Sequence, residues 1–144
     1  MNEREFKERT REFGLRVVRL VTSLPKGRVE DVLGKQLLRS ATSVGANYRS
    51  ACRARSRADM LSKLAIVEEE ADESVYWLEL LVDANVVTAK KVEALRVEGG
   101  EIVAMTVASI KTLRSREKIQ NPKSKIQNPK SKIQNLKSDA SRHR

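Results

Sequence analysis

A chain of 144 residues has room for one ordinary domain, with enough core to stand without disulfides or a structural metal. Aromatic residues make up only 3% and charged residues 33%, with 6 Gly and 3 Pro, a composition that argues against a β-sandwich or barrel and for helices. The formal net charge of +10 points towards polyanions, while a single Cys and a single His exclude a multi-thiolate metal centre and give a histidine-based enzyme no material, so neither catalysis nor a cofactor is expected.

The first eleven residues alternate acids and bases and lack the apolar block of a signal peptide. No later segment approaches eighteen uninterrupted apolar residues. A cytoplasmic location is the expectation, and the lone Cys52 suits a reducing compartment.

Phe6, Phe13, Val17, Leu20, Val21 and Leu24 recur at three- and four-residue steps, with Thr10 filling the gap, and predict a first helix from about Glu3 to Leu24. Pro25-Lys26-Gly27 ends it. Glu30 and Asp31 suit the start of a second helix, whose buried face reads Leu33, Leu37, Ala41, Val44, Tyr48 and Ala51 and which runs to about Arg53. Ser56 followed by Asp59 resembles a capping box and opens a third helix through Leu61, Leu64, Val67, Ala71, Val75, Leu78 and Leu81 or Val82 to about Asp83. Asn85 fits a helix C-terminus and Thr88 a new N-cap. Val92, Leu95, Ile102, Val103, Thr106, Val107, Ile110 and Leu113 then mark a fourth helix, in which Gly99-Gly100 predicts a kink or a close helix contact. Long helices with short connections pack as an antiparallel, up-down-up-down four-helix bundle, expected over residues 1–114.

Residues 115–144 differ in kind. Lys-Ile-Gln-Asn-Pro-Lys-Ser occurs twice from Lys118 and a third time from Lys132 with Leu136 in place of Pro. One strongly apolar residue per seven cannot form a coiled-coil seam, and Pro122 and Pro129 oppose a helix, so a disordered basic tail is expected. It reads either as a phosphate-binding arm or as a short DNA repeat translated in frame.

With the tail set aside, the charge is polarised. Bases dominate between residues 35 and 63, whereas acids dominate between 64 and 113. Lys35, Arg39, Thr42, Ala46, Arg49 and Arg53 follow helical steps of four and three, and Arg55 and Arg57 extend the basic patch through the next turn. Lys35, Arg39, Arg49, Arg53, Arg55 and Arg57 are candidate phosphate ligands, because a basic stripe with small residues between its cations lets a backbone approach and Arg binds phosphate bidentately. The alternative for the stripe's central part is pairing with Glu68, Glu69, Glu70, Asp72 and Glu73, in the same chain or a neighbouring subunit.

A di-iron reading of those acids fails for want of any Glu-x-x-His pair. Glu69, Asp72, Glu73, Tyr76 and Trp77 are therefore candidate subunit-interface residues. Cys52, near the apolar stripe, reads as a small core residue rather than a nucleophile, since no histidine can be placed beside it.

The runs Leu37-Leu38-Arg39-Ser40-Ala41-Thr42-Ser43-Val44-Gly45-Ala46-Asn47-Tyr48, Lys63-Leu64-Ala65-Ile66-Val67-Glu68-Glu69-Glu70-Ala71-Asp72-Glu73 and Trp77-Leu78-Glu79-Leu80 resemble the four-helix bundle proteins of the 23S rRNA intervening-sequence family. The resemblance spans roughly residues 5–113. Where common members carry Ser-Ile-Pro-Ser-Asn-Ile-Ala-Glu-Gly, this chain has Ser43-Val44-Gly45-Ala46-Asn47-Tyr48-Arg49-Ser50-Ala51, keeping the Asn and replacing the Glu and Gly. It implies an antiparallel bundle assembled as a homo-oligomeric ring, a pentamer by analogy. Related bundles are accessory subunits of the reverse transcriptases of diversity-generating retroelements and contribute basic surface for RNA. The expected function is non-catalytic binding of RNA, ribosomal or retroelement; the alternative is a protein–protein adaptor, for example for a reverse transcriptase, that never touches nucleic acid.

Overall fold

A computed structural model describes residues 1–120 and gives four helices: α1 (Glu3–Thr22), α2 (Arg28–Cys52), α3 (Arg57–Asp83) and α4 (Ala89–Gln120). Their ends follow local chemistry. Asn2 caps α1 in a full capping box, its side chain accepting from the Glu5 N–H while the Glu5 carboxylate accepts from the Asn2 N–H. The Ser56 side chain accepts from the Asp59 N–H at 3.0 Å, and the Thr88 hydroxyl accepts from the Lys91 N–H at 3.3 Å, so α3 and α4 start where the sequence placed their caps. After Asp83 the chain closes in a Schellman arrangement: Asn85, at φ 60°, donates to the Val82 carbonyl and Val86 donates to that of Leu81.

α1 stops at Thr22, two residues before the end of its apolar stripe. α4 does the reverse. It passes Leu113, its last predicted apolar position, and continues to Gln120, so the domain limit expected at residue 114 falls inside a helix. A helix ends at a breaker rather than at the end of its stripe, and no Gly or Pro occurs between Gly100 and Pro122. The chain divides into two units, residues 1–110 and 111–144. Most of the repeated tail, residues 121–144, lies outside the described residues.

Within residues 1–110 the side-chain register gives the up-down-up-down topology. Gly45 of α2 lies against Thr10 and Arg11 of α1, and Gly14 of α1 lies against Ala41 and Thr42, so residue numbers fall on one helix as they rise on the other. The Ser74 hydroxyl of α3 donates to that of Ser40 of α2 at 3.0 Å, fixing the next pair. Gly99 of α4 faces Val75 of α3 and Phe13 of α1, which brings the fourth helix back beside the first. Phe13, Val17, Leu37, Val44, Leu64, Val67, Leu78, Leu81 and Ile102 fill the centre and are fully buried.

Of the predicted apolar positions, Val21, Leu24, Leu33, Leu61, Val75, Val103, Val107 and Leu113 are only half-buried, while Ser40, Ser74, Gly14 and Gly99 take core places that an apolar pattern does not mark. The buried hydroxyls of Thr10, Ser40 and Thr106 each donate to a carbonyl one turn back and that of Ser74 donates to Ser40, so small polar residues enter the core without an unmet hydrogen bond at those positions. Gly99 produces the close contact rather than a kink: a Cβ there would stand 2.7 Å from Val75 Cγ2, whereas at Gly100 nothing lies within 4 Å. Among the described residues no helix is long and apolar enough to cross a membrane.

Candidate functional site

The close approach of α1 and α2 leaves a groove of about 510 Å³ along their outer side. Its floor is Gly14, Gly45 and Ala46, its apolar wall is Leu15 and Val18, and its cations are Lys7 and Arg11 from α1 with Arg49 and Arg53 from α2. No carboxylate lines it. Leu15 and Val18 keep 38% and 37% of their surface exposed although they belong to a helix whose other face is fully packed. Lys7, Arg11, Leu15 and Val18 sit at i, i+4, i+8 and i+11, one stripe of α1. Sequence reasoning missed Lys7 and Arg11 because that stripe mixes bases with aliphatics and matches neither an apolar nor a basic pattern alone.

The predicted basic stripe of α2 divides three ways. Thr42, Ala46, Arg49 and Arg53 reach the groove together. Arg39 turns to the other side and donates to Glu73 Oε2 at 2.8 Å and Glu70 Oε1 at 3.3 Å of α3, so its charge is neutralised within the chain. Those hydrogen bonds, to Glu73 first and then to Glu70, hold its guanidinium protonated above the ordinary arginine value. Lys35 lies near the opposite end of the bundle, beside Glu30, Asp31 and Leu38. At 3.6 residues per turn Arg39 and Arg49 stand on opposite edges of the stripe, about 80° apart, enough to send one towards α3 and the other towards α1.

Arg55 is exposed in the α2–α3 turn, and Arg57, the first residue of α3, is half-buried. Neither has an ion pair among the described residues, nor do Arg49 and Arg53.

The predicted interface residues also separate. Glu69 and Asp72, with Glu68, line a shallow recess between α3 and α4 floored by Ala65 and Val103. Glu73 faces the α2 side, where its Oε1 accepts from Trp77 Nε1 at 3.2 Å. Tyr76 is 54% exposed and stands edge-on to Trp77, ring centres 5.0 Å apart. Glu70 Oε2 is buried and accepts no hydrogen bond among the described residues.

Between α1 and α4 lies a network that sequence reasoning did not find. Arg9 Nε donates to Glu98 Oε2 at 2.8 Å and Nη2 to Glu98 Oε1 at 2.5 Å, and Arg9 also pairs with Glu101. The hydrogen bonds from Arg9 hold the Glu98 carboxyl below the usual carboxylate range. Partners some ninety residues apart leave no local signal. Cys52 is half-buried at the end of α2, where burial, followed by its contact with Glu3, pushes its thiol up and away from thiolate chemistry.

The described helices match the 23S rRNA-intervening sequence protein family over residues 2–108. The chain belongs to that family. It is similar to the crystal structure of a Bacteroides thetaiotaomicron protein of unknown function from the S23 ribosomal protein family, with 40% identity and a TM-score of 0.72 over 77% of this chain and 99% of the other. No curated protein matches it. The groove lies within this family member's matched region, whereas residues 121–144 lie beyond it.

Proposed function

We propose that this family member is a non-catalytic, cytoplasmic, homo-oligomeric bundle that binds RNA with the cations at its α2–α3 turn. The carrying observation is that Arg53, Arg55 and Arg57 crowd into five residues at one end of the bundle with no carboxylate paired to them among the described residues. Three guanidinium groups at a helix end and its turn suit phosphates of a structured or looped RNA, where each offers bidentate contacts. The family's description names a 23S rRNA intervening sequence, and a ribosomal RNA is the ligand we favour. Glu69, Asp72, Tyr76 and Trp77 are the surface we assign to subunit contact, with a ring of five as the assembly; Glu73, already engaged by Arg39 and Trp77, borders it.

The test removes residues 121–144 first, because their seven Lys and Arg residues hold any polyanion at low salt. A chain ending at Gln120 is expected to bind structured RNA near physiological salt. Replacing Arg53, Arg55 and Arg57 together by Gln is expected to weaken that binding and to flatten its salt dependence by up to about two units of slope, at roughly 0.7 per single-strand phosphate contact. Helicity is expected to persist, since none of the three is in the core. Absence of RNA binding by the Gln120-terminated chain sinks the proposal and leaves the adaptor reading in its place.

A further inference from the structure

Two surfaces of residues 1–110 are complementary and cannot meet within one copy. The α1/α2 groove presents Lys7, Arg11, Arg49 and Arg53 around an apolar wall, and the α3/α4 side presents Glu68, Glu69 and Asp72 around Ala65. α1 and α2 form one half of the bundle, α3 and α4 the other, so a contact between groove and acidic edge requires a second molecule.

We propose that the groove of one copy receives the acidic edge of α3 from the next copy. This rests on the homo-oligomeric reading above and assigns its contact: Arg11 and Arg49 take Glu69 and Asp72, with Lys7 and Glu68 beside them. Two observations carry it. The signs are opposite, and the groove holds no carboxylate of its own to neutralise its cations. The groove also keeps Leu15 and Val18 at 38% and 37% exposure, an apolar wall that a second copy of the chain covers.

Nucleic acid uses the cations of such a groove but not its apolar wall of Leu15 and Val18, whereas the aliphatic stems of the glutamates cover it. Groove and edge are different surfaces of one chain, so the contact is head-to-tail and is satisfied everywhere only in a closed ring. Arg53 stands at the groove's end and, with Arg55 and Arg57, stays at the rim.

The experiment is charge reversal in the full chain, read by sedimentation velocity at micromolar concentration with far-ultraviolet circular dichroism as the check on folding. Wild type is expected to sediment as a single oligomer that weakens as salt rises from 0.1 to 0.5 M. Arg11→Glu with Arg49→Glu, and separately Glu69→Arg with Asp72→Arg, are each expected to yield helical monomers. The chain carrying all four reversals is expected to regain the wild-type mass, an outcome that a merely destabilising effect cannot produce.

An unchanged oligomer in both double variants overturns the assigned contact and leaves the homo-oligomeric reading intact. A wild-type monomer overturns both. A four-reversal chain that stays monomeric and helical overturns the pairing. Loss of RNA binding by Arg11→Glu with Arg49→Glu at unaltered mass overturns it too, and makes the groove the RNA site.

Discussion

On the α1/α4 seam Arg9 is gripped by Glu98 and Glu101, whereas two residues further along the same helix Arg11 enters a groove with Lys7, Arg49 and Arg53 and no carboxylate. The side chains of Arg9 and Glu98 are only 24% and 16% exposed. Two residues turn a helix by about 200°, so the same residue type serves packing on one side and presents unpaired charge on the other. Arg39 and Arg49 repeat the contrast on α2. Helical phase, more than residue type, separates an arginine that holds the bundle together from one available to a partner.

The contrast is broken most severely by filling the seam. Gly99→Leu drives a side chain into Val75 and Phe13 and is expected to cost up to about 3 kcal/mol in urea unfolding, as overpacking does. Gly100→Ala, one residue on and facing open space, is expected to gain up to about 1 kcal/mol from helix propensity alone. Equal and opposite results at these two positions are not required; a stabilising Gly99→Leu would show that the seam is looser than the contacts imply.

Arg9→Ala is expected to cost about 2 kcal/mol, because it leaves the mostly buried Glu98 carboxylate without its donors. Compared at a dilution where both chains are monomeric, Arg11→Ala is expected to lie within about 0.5 kcal/mol of wild type, as surface substitutions do. Equal costs for the two would erase the distinction between seam and groove.

The smallest effect is in pH. Arg9 lowers the Glu98 carboxyl, so the folded state binds that proton less readily than the unfolded chain. The resulting stability is present above the unfolded carboxylate value, about 4.3, and is lost as pH falls through the lower folded value. Denaturation midpoints measured from pH 6 to pH 2.5 are expected to fall less steeply in Arg9→Ala than in wild type, and to fall as steeply in Arg11→Ala.

Four helices, their caps at Ser56 and Thr88 and the left-handed residue at Asn85 were legible in the chain, because stripes, caps and C-terminal signals are local and depend on residues within a turn or two of each other. The same holds for the family, carried by contiguous runs in α2 and α3. The candidate site was legible only in part. A stripe defined at 100° per residue gathers Arg39 with Arg49, but the neighbouring helices decide which edge of the stripe meets α3 and which meets α1, and Glu70 and Glu73 thereby withdraw Arg39. Lys7 and Arg11 became site residues, and Arg9 a structural one, only when Gly14 and Gly45 let α1 and α2 approach closely and Gly99 let α4 close beside them. A one-dimensional pattern fixes how residues are arranged around each helix axis; the angle at which each axis faces its neighbours, set by packing among residues far apart in the chain, decided which charges are paired and which remain for a partner.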